Sequence, residues 1–114
     1  MNLSHHESNG VVVVEVGKGD AVSANAQDFK NRLLEFVENG KRKIAVDLSN
    51  IEYIDSSFLG SLVSVLKRIT DSDGGVKVFG LAERVRGVFE LTRLYKVFDI
   101  HDDESSAVKS FTDA

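Results

Sequence analysis

Five valines in six residues, Val11-Val-Val-Val-Glu-Val16, constrain this chain more than any other stretch. β-Branched side chains lose rotamer freedom in a helix and pack well on a pleated surface, so the run reads as a strand. Because the apolar residues are continuous and do not alternate with polar ones, both faces of that strand must be covered. A strand buried on both sides belongs inside a sheet with helices packed against it, and the rest of the chain has to supply them.

The sequence beyond the valines does so in regular alternation. Gly17-Lys-Gly19-Asp20 breaks the strand; it reads as a turn, since the lysine-serine ending and full glycine spacing of a phosphate loop are missing. A helix is expected from Asp20 or Ser23 to about Asn39, carried by Phe29, Leu33, Leu34, Phe36 and Val37, with Asn39-Gly40 as its stop. Lys41-Arg42-Lys43 is a solvated basic turn leading into the strand Ile44–Leu48. Ser49-Asn50 turns the chain, and Ile51 and Ile54 tuck the following loop down. A second helix runs from Ser57 to about Thr70 on Leu59, Leu62, Val63, Leu66 and Ile69, ended by Asp71-Ser-Asp-Gly-Gly75. Val76–Gly80 is a third strand, and Leu81 or Ala82 opens a helix reaching Thr92. Tyr95–Ile100 reads as a last short strand, before a C-terminal helix opened by Asp102-Asp-Glu-Ser105, whose acidic residues suit its dipole. Met1 to Gly10 is either a frayed end or a short edge strand. Helices between successive strands act as crossovers, which are right-handed and make the sheet largely parallel. The expected fold is α/β: one domain over residues 1–114, with a mixed, mostly parallel sheet of four to five strands and about four helices.

Charge and composition narrow the function. A net charge of −4 argues against nucleic acid, which requires a basic face, while leaving the surface free to meet a basic protein. No run approaches the ~18 apolar residues of a membrane span, and no signal pattern opens the chain, so a cytoplasmic protein is expected. Without cysteine there is no disulfide framework, thiolate metal site or thiol nucleophile. His5-His6 is the one tempting metal pair, but adjacent residues in an extended chain point apart, and no metal or cofactor is expected.

Functional residues are expected in the loop after Ile44–Leu48, because sites in parallel sheets gather at the carboxyl ends of strands. There Asp55-Ser56-Ser57 opens the second helix, where free N–H groups and the helix dipole both favour an anion. Three readings of the serines follow. Ser56 is a site for phosphate, or Ser56 or Ser57 is the cap of the helix, or Ser56 is a nucleophile. A nucleophilic serine needs an activating base, usually histidine, and only His5, His6 and His101 are present; the Gly-x-Ser-x-Gly elbow is absent.

The phrase Val46-Asp-Leu-Ser-Asn-Ile-Glu-Tyr-Ile-Asp-Ser-Ser-Phe-Leu-Gly60 resembles the signature of the STAS family, the bacterial anti-sigma-factor antagonists. Asp73-Gly-Gly-Val-Lys-Val78, Leu81 to Leu94 and Val97-Phe-Asp-Ile100 resemble later family segments in the same order. The resemblance implies a non-enzymatic switch in partner choice. An unphosphorylated member binds an anti-sigma factor with serine kinase activity and frees the sigma factor. That kinase phosphorylates the serine after the motif aspartate, and a protein phosphatase reverses the step. By position the acceptor is Ser56, with Asp55 and Ser57 as neighbours. The implied partner-binding residues are Asp20, Ser23, Phe58 and Leu59, on a chain that is a monomer or a weak dimer. Related domains also serve as subunits of sensory or transport complexes. Two departures stand out: Phe58 replaces the family's usual glycine, and Gly19 precedes Asp20 where an apolar residue is usual. Phe58 is either an exposed anchor for a partner or a core residue in the first helical turn.

Overall fold

The structure, a computed structural model, describes residues 1–69 and 73–112. Five strands form one sheet whose spatial order repeats their chain order: β1 (Leu3–Ser8), β2 (Val11–Val16), β3 (Lys43–Asp47), β4 (Gly75–Phe79) and β5 (Ile100–His101). β1 pairs antiparallel with β2, and every later pairing is parallel. The helices are α1 (Ser23–Glu38), α2 (Ser56–Arg68), α3 (Glu83–Leu91) and α4 (Glu104–Thr112). The expected α/β architecture is therefore present, and the polar N-terminal residues form an edge strand.

Burial follows the two-faced demand of the valine run. Val12, Val14 and Val16 join the larger core with Phe29, Leu33, Ile44, Val46, Phe58, Leu62, Val78 and Phe89, under α1, α2 and α3. Val11 and Val13 point the other way and pack with Ala45, Phe79, Ala107 and Val108 beneath α4. On that same face Lys77 lies under the helix, its Nζ donating to Ser110 Oγ at 2.7 Å and sitting 4.4 Å from the centre of the Phe111 ring. The two histidines of β1 separate as period-two geometry requires. His5 meets Phe36 of α1 edge-on at 4.9 Å, and His6 bonds Glu104 of α4 at 2.9 Å.

Helix boundaries are set by local chemistry. α1 stops because Gly40 takes the left-handed conformation (φ 85°), which lets Gly40 N–H donate to Val37 and Lys41 N–H to Phe36. α2 begins at Ser56, one residue earlier than expected. Its expected end at Thr70, with Asp71 and Ser72 of the following turn, lies outside the described residues. The expected strand Tyr95–Ile100 is corrected. Arg93 adopts a left-handed conformation (φ 62°), Leu94–Lys96 form a 3-10 turn, and pairing begins only at Ile100. Tyr95 and Val97 are exposed while Phe98 is buried beside Phe89, so the apolar residues there do not line a strand face.

Candidate functional site

At the carboxyl end of β3 the chain must turn and start α2, and one side chain organises that turn. Asp55 has an extended backbone at the N-cap of α2, and its Oδ1 accepts the Phe58 N–H at 3.0 Å. Its Oδ2 accepts the Ser23 N–H, the first residue of α1, at 2.6 Å, and its own N–H donates to Ala21 at 3.1 Å. α1 has no capping side chain of its own, so Asp55 serves the N-termini of both helices. Each is an electropositive end with orphan N–H groups, which is why a carboxylate is stable between them.

This arrangement corrects the capping expectation. The cap is Asp55; Ser56 and Ser57 follow it as the first two helical residues, both exposed. The Ser56 hydroxyl has no hydrogen bond among the described residues and is open to solvent. The Ser57 carbonyl receives the Ser61 hydroxyl at 3.3 Å, while that same hydroxyl donates to Ala26 of α1 at 2.8 Å, a second tie between the helices.

The other candidates divide. Ser23 is exposed and beside Asp55 through the bond just described. Asp20 is half-buried and its carboxylate accepts the Asn2 N–H at 2.8 Å, which fastens the start of the chain to the β2–α1 loop. Phe58 and Leu59 are corrected as partner contacts: they are 0% and 5% exposed. Phe58 stacks on Phe29 with ring centres 4.4 Å apart, so helical geometry turns it inward, one residue past the exposed pair Ser56 and Ser57. None of the hydrogen bonds among the described residues joins a histidine to Ser56 or Ser57. His5 and His6 are engaged with α1 and α4, and His101 belongs to β5, beyond β4 from the site strand. The basic turn Lys41-Arg42-Lys43 lies at the opposite, amino end of β3, where Lys41 pairs with Glu7 at 2.8 Å.

One residue of this edge was missed from the sequence. Tyr53 is 60% exposed, three positions before Ser56. The signal was present: Ile51 and Ile54 were read as tucking inward, which leaves Glu52 and Tyr53 outside.

The comparisons agree with this geometry. The STAS domain profile matches residues 2–107. The anti-sigma-B factor antagonist of Staphylococcus aureus is 29% identical over 102 residues, covering 90% of this chain and 94% of its own. The crystal structure of a candidate anti-sigma factor antagonist from Thermotoga maritima superposes with a TM-score of 0.85 at 30% identity, over 97% of this chain and 95% of that one. The Bacillus cell fate determinant SpoIIAA in its phosphorylated form shares the fold, with a TM-score of 0.71 at 15% identity, over 96% of this chain and 98% of that one. Among the described residues no helix is long and apolar enough to cross a membrane.

Proposed function

Since this chain belongs to the STAS domain family, we propose that it is an anti-sigma-factor antagonist whose hold on its partner is switched by phosphate on Ser56. The partner is an anti-sigma factor with serine kinase activity. The unphosphorylated chain binds it and releases the sigma factor, in the cytoplasm where transcription takes place, and a protein phosphatase restores that form. The observation that carries the reading is the state of Ser56: an exposed hydroxyl with no hydrogen bond among the described residues, at the start of a helix whose cap is already supplied by Asp55.

In the transfer, Ser56 Oγ forms a bond to the γ-phosphorus of the partner's ATP. The bond from that phosphorus to the bridging oxygen breaks, ADP leaves, and the hydroxyl proton passes to a base on the partner. The product carries ~1.5–2 extra negative charges on the docking face. Those charges suit the helix dipole but crowd Asp55, so the free-energy change is felt at the interface. Every ~1.4 kcal/mol lost there is tenfold in affinity.

The test is direct binding to the purified anti-sigma kinase of the same host, by calorimetry. Ser56→Ala is expected to bind like the wild type and Ser56→Asp at least about tenfold more weakly. Equal affinities for the two variants would defeat the proposal. Mass spectrometry of the protein from its own cells should locate phosphate on Ser56, and finding it on Ser57 instead would move the switch by one residue.

A further inference from the structure

Among the described residues four large apolar side chains are exposed: Tyr53, Leu91, Tyr95 and Val97. Three follow one another around the end of α3, whereas Tyr53 stands on the edge that carries Ser56. Its loop is tethered on both sides. Asn50 Nδ2 donates to Glu15 Oε1 at 3.1 Å, and Ile51 N–H donates to Leu48 at 3.2 Å. Ile51 and Ile54 are buried at 1% and 3% exposure, and Asp55 N–H is bound to Ala21. Between these anchors only Glu52 and Tyr53 are exposed. The Tyr53 hydroxyl has no hydrogen-bond partner among the described residues, so it is free to meet one.

A phenol ring on a fixed backbone has only two side-chain torsions left to lose on docking, and exposed aromatics of this kind make interface hot spots. The geometry points to Tyr53 as the anchor by which the kinase partner grips this chain. This rests on the reading of Ser56 as phosphoacceptor. The complementary surface is an apolar slot for a phenol ring with a basic rim. Glu52, next to Tyr53 in the chain, and Glu15, bonded to Asn50 of the same loop, are both exposed, so the loop that carries the ring also carries negative charge. Tyr53 is a positioning residue and does not touch the reacting atoms. It binds equally in the ground and transition states, so it governs KM and leaves kcat unchanged.

The measurement is steady-state phosphorylation of the full chain by the purified anti-sigma kinase of the same host with Mg-ATP, at varied chain concentration. Tyr53→Ala is expected to raise KM by about 10- to 30-fold with kcat within about twofold of wild type. Tyr53→Phe, which keeps the ring, restores KM to within about threefold. Both variants should unfold at the wild-type temperature, because the ring is mostly in water. A Tyr53→Ala KM equal to wild type, or a fall in kcat at constant KM, overturns the anchor and leaves Ser56 as acceptor untouched. Undiminished phosphorylation of Ser56→Ala refutes the underlying reading instead.

Discussion

At the scale of single residues, Phe58 shows how a departure from a family's habit is absorbed. A glycine there leaves room between two helices; this chain fills the room with a ring against Phe29, immediately behind the exposed serines. Restoring the family's residue should therefore harm this protein. Phe58→Gly is expected to cost about 4–6 kcal/mol, from ~3–5 for the lost ring and its cavity and ~1 for glycine within a helix. Chemical denaturation would read this as a large fall in the unfolding midpoint with little change in slope. A midpoint within experimental error of wild type would mean that Phe29 and its neighbours collapse into the space. The sequence left Phe58 with two readings because its first-turn position is compatible with either face; only the placement of Phe29 on α1 decides between them. Asp55 was legible as a neighbour of Ser56, but its second bond was not. The donor, the Ser23 N–H, is 32 residues away, and nothing local announces that α1 lacks a cap of its own.

At the scale of elements, patterns with strong periods were readable and turns without local chemistry were not. The valine run, the stripe of α1 and its glycine stop all follow from residue type and spacing. The last strand did not, because neither the left-handed Arg93 nor the burial of Phe98 against Phe89 of α3 is announced by residue type or spacing. α4 was expected to open at Asp102-Asp-Glu-Ser105; it begins at Glu104, and Asp103 just before it has a specific task. Asp103 Oδ1 accepts both the N–H and the hydroxyl of Ser106, each at 2.9 Å. The Ser106 N–H bond foremost, then its hydroxyl and nearby His101, hold this carboxyl below the usual 3.8. A depressed folded-state value means that the ionised form is favoured by folding. The contribution is present above the unfolded value and is lost as pH falls through the folded one. Acidification below the ordinary carboxylate value of about 3.9 should thus loosen α4, seen as lower protection factors at Ser106 and Ala107 once each rate is referred to the intrinsic rate at that pH. Asp103→Asn, which keeps an acceptor without the charge, should flatten the acid limb of stability against pH. A variant whose pH profile overlays the wild type would exclude any such role.

At the scale of the whole molecule, the proposed switch is mounted on a frame that has no need to move. Asp55 and Ser61 bind α1 and α2 to each other, and the Phe29–Phe58 pair packs between them. A charge added at Ser56 meets a favourable dipole and an unfavourable carboxylate, so the two effects on folding oppose each other. Ser56→Asp is expected to change folding stability by less than about 1 kcal/mol, while its partner affinity falls. Thermal unfolding measured beside the binding experiment separates the two quantities. A large drop in melting temperature would mean that the substitution acts through the fold. Such a division of labour is what the topology offers: the site occupies loops at one end of the sheet, and the cores lie between its faces and the helices.

The matching of spatial strand order to chain order has a further consequence, for synthesis. A chain leaving the ribosome from its N-terminus adds each strand beside one already made, so pairing never has to wait for a distant segment. The exception is the face beneath α4. Val11, Val13, Ala45 and Phe79 stay uncovered until Ala107 and Val108 emerge. A nascent molecule can therefore carry a finished loop between β3 and α2 while an apolar strip stays unsealed, and it is at that stage that a chaperone, or another unfinished copy, finds most to hold.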